Sequence, residues 1–238
     1  MPVIALANAK GGAGKTTAAL ILATELARQG NRVVILDADP QRWITSWHEA
    51  SGAIKNIEVI SEVTQSSLQC HLRELRDVTD YFVIDLAGAR DAIVSTALAL
   101  ADHVLIPVQG CAMDARGAAQ ILDLLHLMAE RGIRKVPHSV VLTRVSSMVT
   151  TRAMLAIKAL LAERGVNVFD TAIIERAAFR EIFEFGGTLQ TMDPARVSNL
   201  DRARDNARAL ADELPRLLPA RVVQSSGPRN LFRLKQAA

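Results

Sequence analysis

The run Lys10-Gly11-Gly12-Ala13-Gly14-Lys15-Thr16-Thr17 combines glycines, two lysines and two hydroxyls in a spacing suited to a polyphosphate. Glycines let the backbone curl until successive N–H groups point at phosphate oxygens. Lys15 can then reach the β- and γ-phosphates, and the Thr16 hydroxyl can ligate Mg²⁺. Two further segments bring carboxylates. Val33-Val34-Ile35-Leu36-Asp37-Ala38-Asp39-Pro40-Gln41 ends an apolar stretch with Asp37 and Asp39, two residues apart and therefore on the same side of a strand. Asp80-Tyr81-Phe82-Val83-Ile84-Asp85-Leu86-Ala87-Gly88 ends another in Asp85, the pattern in which a carboxylate holds Mg²⁺ through a water beside the loop threonine. Phosphoryl chemistry on a nucleoside triphosphate is what these three segments could carry together.

For them to converge, the chain must place each at the end of a strand. Apolar strand candidates fall at 3–8, 32–37, 57–60, 80–85, 103–108 and 138–142, with a weaker one at 171–174. Helical runs separate them at 16–29, 41–50, 66–76, 91–100, 114–131 and 151–164. Short strands apolar on both faces, alternating with helices, predict a doubly wound α/β fold with a mostly parallel sheet and helices on both faces. Ligands of such sheets bind beyond the carboxyl ends of the strands, where all three motifs lie. The glycine loop also opens a helix whose N-terminus favours an anion. We expect one domain over residues 1–218. The breaker Ser225-Ser226-Gly227-Pro228 predicts a loosely ordered basic tail over 219–238.

At 238 residues the chain can bury a sizeable core, and half of its residues are apolar. No stretch is long and apolar enough for a membrane span, and no basic and apolar leader precedes the glycine loop. The two cysteines, Cys70 and Cys111, are isolated, which suits ordinary thiols in a reducing cytoplasm. The five histidines lack metal-ligand spacing. The formal charge of +3 is unevenly spread, with nine Lys/Arg against four Asp/Glu from Arg196 onward. That excess reads either as a surface for a polyanion or as a solvated amphipathic helix of mixed sign.

Lys-Gly-Gly-x-Gly-Lys-Thr-Thr, with Ala9 where the usual phosphate loop has glycine and Lys10 directly after it, resembles the deviant Walker A box of the ParA/MinD family of ATPases. The resemblance covers roughly residues 1–215. It implies a P-loop NTPase fold of the deviant Walker A class and an ATP·Mg²⁺ site on Gly11, Gly12, Ala13, Gly14, Lys15, Thr16 and Thr17. Lys10 would reach across a dimer interface to the partner's nucleotide. Asp39 would position the attacking water, Asp37 would stand near the metal's water shell, and Asp85 would be the Walker B carboxylate. Relatives often read Asp-x-Pro where this chain has Asp85-Leu86-Ala87. Thr143 and Arg144 match the place where relatives carry a pair near adenine. In the C-terminal block, Arg180, Arg196 and Arg202 would hold DNA.

By the same resemblance the chain looks like the short ParA type, which forms an ATP sandwich dimer and binds DNA without sequence preference. It would hydrolyse ATP slowly to partition plasmid or other DNA cargo, stimulated by a ParB-like or other cargo-bound partner. Such a protein is cytoplasmic and nucleoid-associated. Two alternatives stay open. One is a VirC-like ATPase assisting conjugative DNA transfer. The other is a MinD-like membrane-positioning ATPase, suggested by Leu231, Phe232 and Leu234 among basic residues but short of the apolar face a membrane helix needs.

Overall fold

Strands apolar on both faces require cover on both faces, and the sheet has it. The computed structural model describes residues 1–88, 92–110, 112–146 and 152–218. Strands and helices alternate as β1 (Val3–Leu6), α1 (Lys15–Arg28), β2 (Val33–Ala38), α2 (Trp43–Ser51), β3 (Ile57–Ile60), α3 (Gln65–Glu74), β4 (Tyr81–Leu86), α4 (Ala92–Leu100), β5 (His103–Gln109), α5 (Ala112–Glu130), β6 (His138–Thr143), α6 (Arg152–Glu163) and β7 (Asn167–Val168). Two last helices follow, α7 (Ala178–Phe185) and α8 (Leu200–Glu213). All strand pairs among the described residues are parallel, in the order β3-β2-β4-β1-β5-β6-β7.

Residue parity sorts the core into two layers. Ile4, Leu6, Val33, Ile35, Tyr81 and Val83 pack with α1, α2, α7 and α8 on one face. Val3, Ala5, Val34, Leu36, Phe82 and Ile84 pack with α3 to α6 on the other. Asp37 and Asp85 continue the first series, so the strands deliver both carboxylates to the α1 side. They are also direct neighbours in the β2–β4 register. Strand order reverses at β1, whose neighbours are β4 and β5, and the glycine loop leaves the sheet at that switch point.

The expected strand at 171–174 is displaced. The edge strand is Asn167–Val168, paired with Ser139 and Val140, and Ile174 makes only an isolated bridge to Val145. Asp170 and Thr171 instead give their N–H groups to Glu213 on α8 at 2.8 and 3.0 Å, which interrupts the ladder before Ile173 rejoins it by donating to the Leu142 carbonyl at 2.7 Å. The mixed-sign stretch after Asn199 is helical. α8 buries Leu200, Ala203, Ala207, Leu210 and Ala211 and exposes its charges. Its two i,i+3 pairs, Asp201–Arg204 and Asp205–Arg208, each have an exposed partner, and such pairs contribute at most about 1 kcal/mol. A buried leucine contributes about 1.5–3 kcal/mol, so the apolar stripe decides where α8 sits. Residues 219–238, the expected tail, and Cys111 lie outside the described residues.

Candidate nucleotide site

Gly14 ends the loop and begins α1. Its φ of +93° is left-handed, and a β-carbon there would meet the Thr143 side chain at 3.3 Å, so both backbone and space call for glycine. No side chain caps α1, which leaves its first N–H groups to an anionic ligand. The loop is braced from three sides. The Thr143 hydroxyl donates to the Ala13 carbonyl at 2.8 Å, the Gln109 amide donates to the Gly12 carbonyl, and Lys15 Nζ donates to the Lys10 carbonyl at 3.3 Å. At the loop's start, fully buried Asn8 donates to the Pro107 carbonyl at 2.7 Å and accepts the Lys10 N–H at 2.8 Å.

Lys15 is buried at 6 % exposure, while Lys10 is half-exposed. Burial pulls the Lys15 ammonium below its ordinary pKa, and the charges of Asp85 and Asp39 act against that. Asp85 is fully buried and makes no hydrogen bond of ordinary geometry among the described residues, although the Thr16 side chain stands close enough to act on it. Desolvation pushes its carboxyl up to about 7, with Asp37 and Asp39 adding to the rise and Thr16 and Lys15 opposing it. An orphaned, desolvated carboxylate beside a loop threonine is a donor set that fits a hard divalent cation.

Asp37 is already partly committed. Its Oδ2 accepts both the N–H and the hydroxyl of Thr45, at 2.9 and 2.7 Å. It thereby caps α2, whose own N-cap, Arg42, is left-handed and offers no side-chain cap. Asp39 stands on the loop between β2 and α2, its Oδ1 accepting the Gln41 N–H at 2.9 Å. The two aspartates therefore divide: one is locked to a helix start, the other is held by its own turn.

Arg144 and Thr143 line a narrow cleft beside Gly14 and Thr17, shared with Ile173, Glu175, Arg176 and Phe179. Thr143 is 2 % exposed and bonded to the loop, so its part there is to hold Ala13 in place. Arg180 lines the same cleft and pairs with Glu175 at 3.2 Å. Arg196, in contrast, lies before α8 and pairs with Asp193 at 3.8 Å, and Arg202 is exposed on α8. The three arginines expected on one DNA surface thus divide between the cleft and the region of α8. A separate cleft of about 590 Å³ opens between Met1, α3 and Leu218 and contains none of these site residues.

Sequence reading did not single out Gly117, Asn8 or Gln109. A β-carbon on Gly117 would lie 2.2 Å from Asn8 Oδ1 and 3.0 Å from the Lys10 nitrogen, so α5 touches the start of the loop. The only signal in the sequence is a glycine inside a helical pattern, where close backbone approach is one standing explanation.

Among known proteins, residues 4–189 match the family described as CobQ/CobB/MinD/ParA nucleotide binding domain. A protein named ParA from Rhizobium radiobacter is 42% identical over 212 residues, covering 89% of this chain and 95% of its own length. The chromosome-partitioning ATPase Soj of Thermus thermophilus is 32% identical over 222 residues, covering 80% and 88%. Among solved structures, an ATP complex of a Cyanothece McdA variant superposes with a TM-score of 0.71 at 19% identity, covering 93% of this chain and 97% of that one. With its glycine loop, early lysine and buried aspartate in place, the chain belongs to the CobQ/CobB/MinD/ParA nucleotide-binding family, as a ParA-type deviant Walker A ATPase.

Proposed function

We propose that this chain is a DNA-partitioning ATP switch. In this reading two copies close on two ATP molecules, the dimer coats DNA without sequence preference, and hydrolysis releases it. The observation that carries the reading is the division of labour on the loop. Lys15 is buried above Asp85, while Lys10 is half-exposed at a loop start pinned by Asn8 and Gly117. In this reading buried Lys15 serves the chain's own nucleotide and half-exposed Lys10 the partner's. The names of the relatives ParA and Soj, the latter a chromosome-partitioning ATPase, support the biological role.

Backbone N–H groups of Gly11 to Thr17 would cradle the phosphates, and Lys15 would neutralise the β- and γ-oxygens. Mg²⁺ would be held by the Thr16 hydroxyl, with Asp85 and Asp37 in its surroundings, and would supply further charge neutralisation on the phosphates. Asp39 would orient the attacking water. Lys10 of each copy would stabilise charge on the other's γ-phosphate, which makes hydrolysis depend on pairing. The cleft beside Gly14 would receive the base, with Arg144 at its edge. Pairing would double a weak basic surface, and Arg196 and Arg202 would contribute to it. The protein acts in the cytoplasm on the nucleoid, with a cargo-bound DNA-binding protein stimulating turnover.

The test is a gel shift on two unrelated duplexes, with a non-hydrolysable ATP analogue and with ADP, at two salt concentrations. Equal binding to both duplexes is expected with the analogue only, falling steeply with salt as phosphate contacts release counterions. No binding to either duplex, together with analogue-dependent sedimentation with anionic vesicles, would overturn the proposal in favour of membrane positioning.

A further inference from the structure

α6 faces solvent with the wrong residues for a surface helix. Met154, Ile157 and Leu161 are buried, yet Leu155 is 55 % and Leu160 44 % exposed on the side away from the core. Leu160 belongs to a groove between α5 and α6, where Ala119 and Leu122 of α5 face Ile157, Leu160 and Leu161. Two arginines, Arg116 and Arg164, line this groove, and among the described residues no acidic side chain does. Its volume, about 190 Å³, is below the roughly 300–1,000 Å³ of small-molecule sites and suits a few apolar side chains presented by another chain.

We propose that the α5–α6 groove docks an amphipathic helix of a partner protein, one whose apolar stripe is flanked by glutamate or aspartate. Charge selects among the occupants. A second copy would bring Arg116 and Arg164 against their own counterparts. The chain's own segment 219–238 holds Leu231, Phe232 and Leu234, but carries Arg221, Arg229, Arg233 and Lys235 with no acid. Both are repelled by the arginines that an acidic flank would satisfy, and like-charge juxtaposition across an interface costs several kcal/mol. A helix lying in a groove anchors through residues spaced i, i+3, i+4 and i+7, which suits an apolar floor flanked by two helices and joined by two cations.

The groove also has a route to the ATP site. α5 supplies Ala119 and Leu122 to the groove and, just before them in the same helix, Gly117 to the contact with Asn8 and Lys10. A helix wedged against α5 would bear on the backbone that carries the lysine assigned to the partner's nucleotide. This coupling rests on the function proposed above; the docking surface does not.

The experiment uses the full chain and two labelled helical peptides of about 18 residues, five turns, each with leucines on one face. One peptide carries glutamates on the flanks and the other lysines. Fluorescence anisotropy should show binding of the glutamate peptide alone. Leu160→Glu should weaken it by about tenfold or more, as expected for an anchor contact, and Arg116→Glu with Arg164→Glu should switch preference to the lysine peptide. Removal of residues 219–238 should leave binding unchanged. Equal binding of both peptides, no binding of either, or a gain in affinity on removing 219–238 would overturn the docking assignment, as would sedimentation of the chain with anionic vesicles that Leu160→Glu abolishes. ATP turnover is read in parallel with the glutamate peptide saturating. An increase supports the coupling and an unchanged rate overturns it, whereas absence of turnover both with and without peptide counts against the proposed function and leaves the docking result intact.

Discussion

Replacing Asp85 by asparagine should stabilise the protein when it holds neither metal nor nucleotide. The Asp85 carboxyl is fully buried, too weakly supported by Thr16 and Lys15 to offset its desolvation, and pushed up to about 7 from an ordinary aspartate value of 3.8. Because the folded state raises this pKa, the fold binds a proton that the unfolded chain releases between pH 4 and 7. Stability contributed by the protonated form is therefore complete below about pH 4 and is lost as pH rises toward 7. At about 1.4 kcal/mol per pH unit of displacement, the loss amounts to about 4 kcal/mol at pH 8, an upper bound because the cluster relaxes. The amide introduced by Asp85→Asn would carry no charge to desolvate. Urea denaturation at pH 8 in EDTA should then show the Asp85→Asn variant more stable by up to that amount, and nearly equal to the unmutated chain at pH 4.5. Mg²⁺ with ADP should stabilise the unmutated chain more than the variant. A variant less stable than the parent at pH 8, or a difference that does not change with pH, would refute the claim that Asp85 is an uncompensated buried charge.

Lys15→Ala should weaken ATP·Mg²⁺ binding by tenfold or more in isothermal titration, since a charge-assisted hydrogen bond contributes about 1.5–3 kcal/mol; unchanged affinity would remove the phosphate-loop assignment. Asp39→Ala should keep ATP binding and stop turnover, because the cradle and Thr16 are untouched, and a variant that no longer binds ATP would put Asp39 with the metal or the fold instead. Gly117→Ala should lower the thermal midpoint and raise KM for ATP together, since the added carbon meets Asn8 Oδ1 and the Lys10 nitrogen and overpacking of this kind costs about 1–3 kcal/mol. A Gly117→Ala variant with unaltered KM would show that α5 does not set the loop's position.

The sheet was legible because five of its strands are short apolar runs buried almost throughout, while edge strand β3, with Glu58 exposed, shows alternation instead. The other edge strand was not legible, since Asn167 and Val168 have only one neighbour and a two-residue ladder leaves no periodicity to read. α7 leaves little pattern in the sequence because Ala178–Phe185 spans just two turns, anchored by Ala178, Phe179 and Ile182. That the glycine loop meets Asp37 and Asp85 was legible because loop chemistry demands particular residue types in sequence order, each at a strand's end. The resemblance sets Thr143 near adenine, and the structure adds a bond from its hydroxyl to the Ala13 carbonyl. That bond joins residues 130 positions apart, and sequence order does not carry such information. The same holds for Asp37, whose link to Thr45 makes it a helix cap as well as the neighbour of Asp85.

ATP should join two copies through Lys10. Multi-angle light scattering of the chain with Mg²⁺ and a non-hydrolysable ATP analogue, beside ADP and beside the Lys10→Ala variant, tests this most directly. Mass should double with the analogue and stay unchanged with ADP, and the Lys10→Ala variant should bind the analogue in titration yet remain monomeric. A Lys10→Ala variant that doubles its mass and hydrolyses ATP at the unmutated rate would contradict the role of Lys10 across the interface.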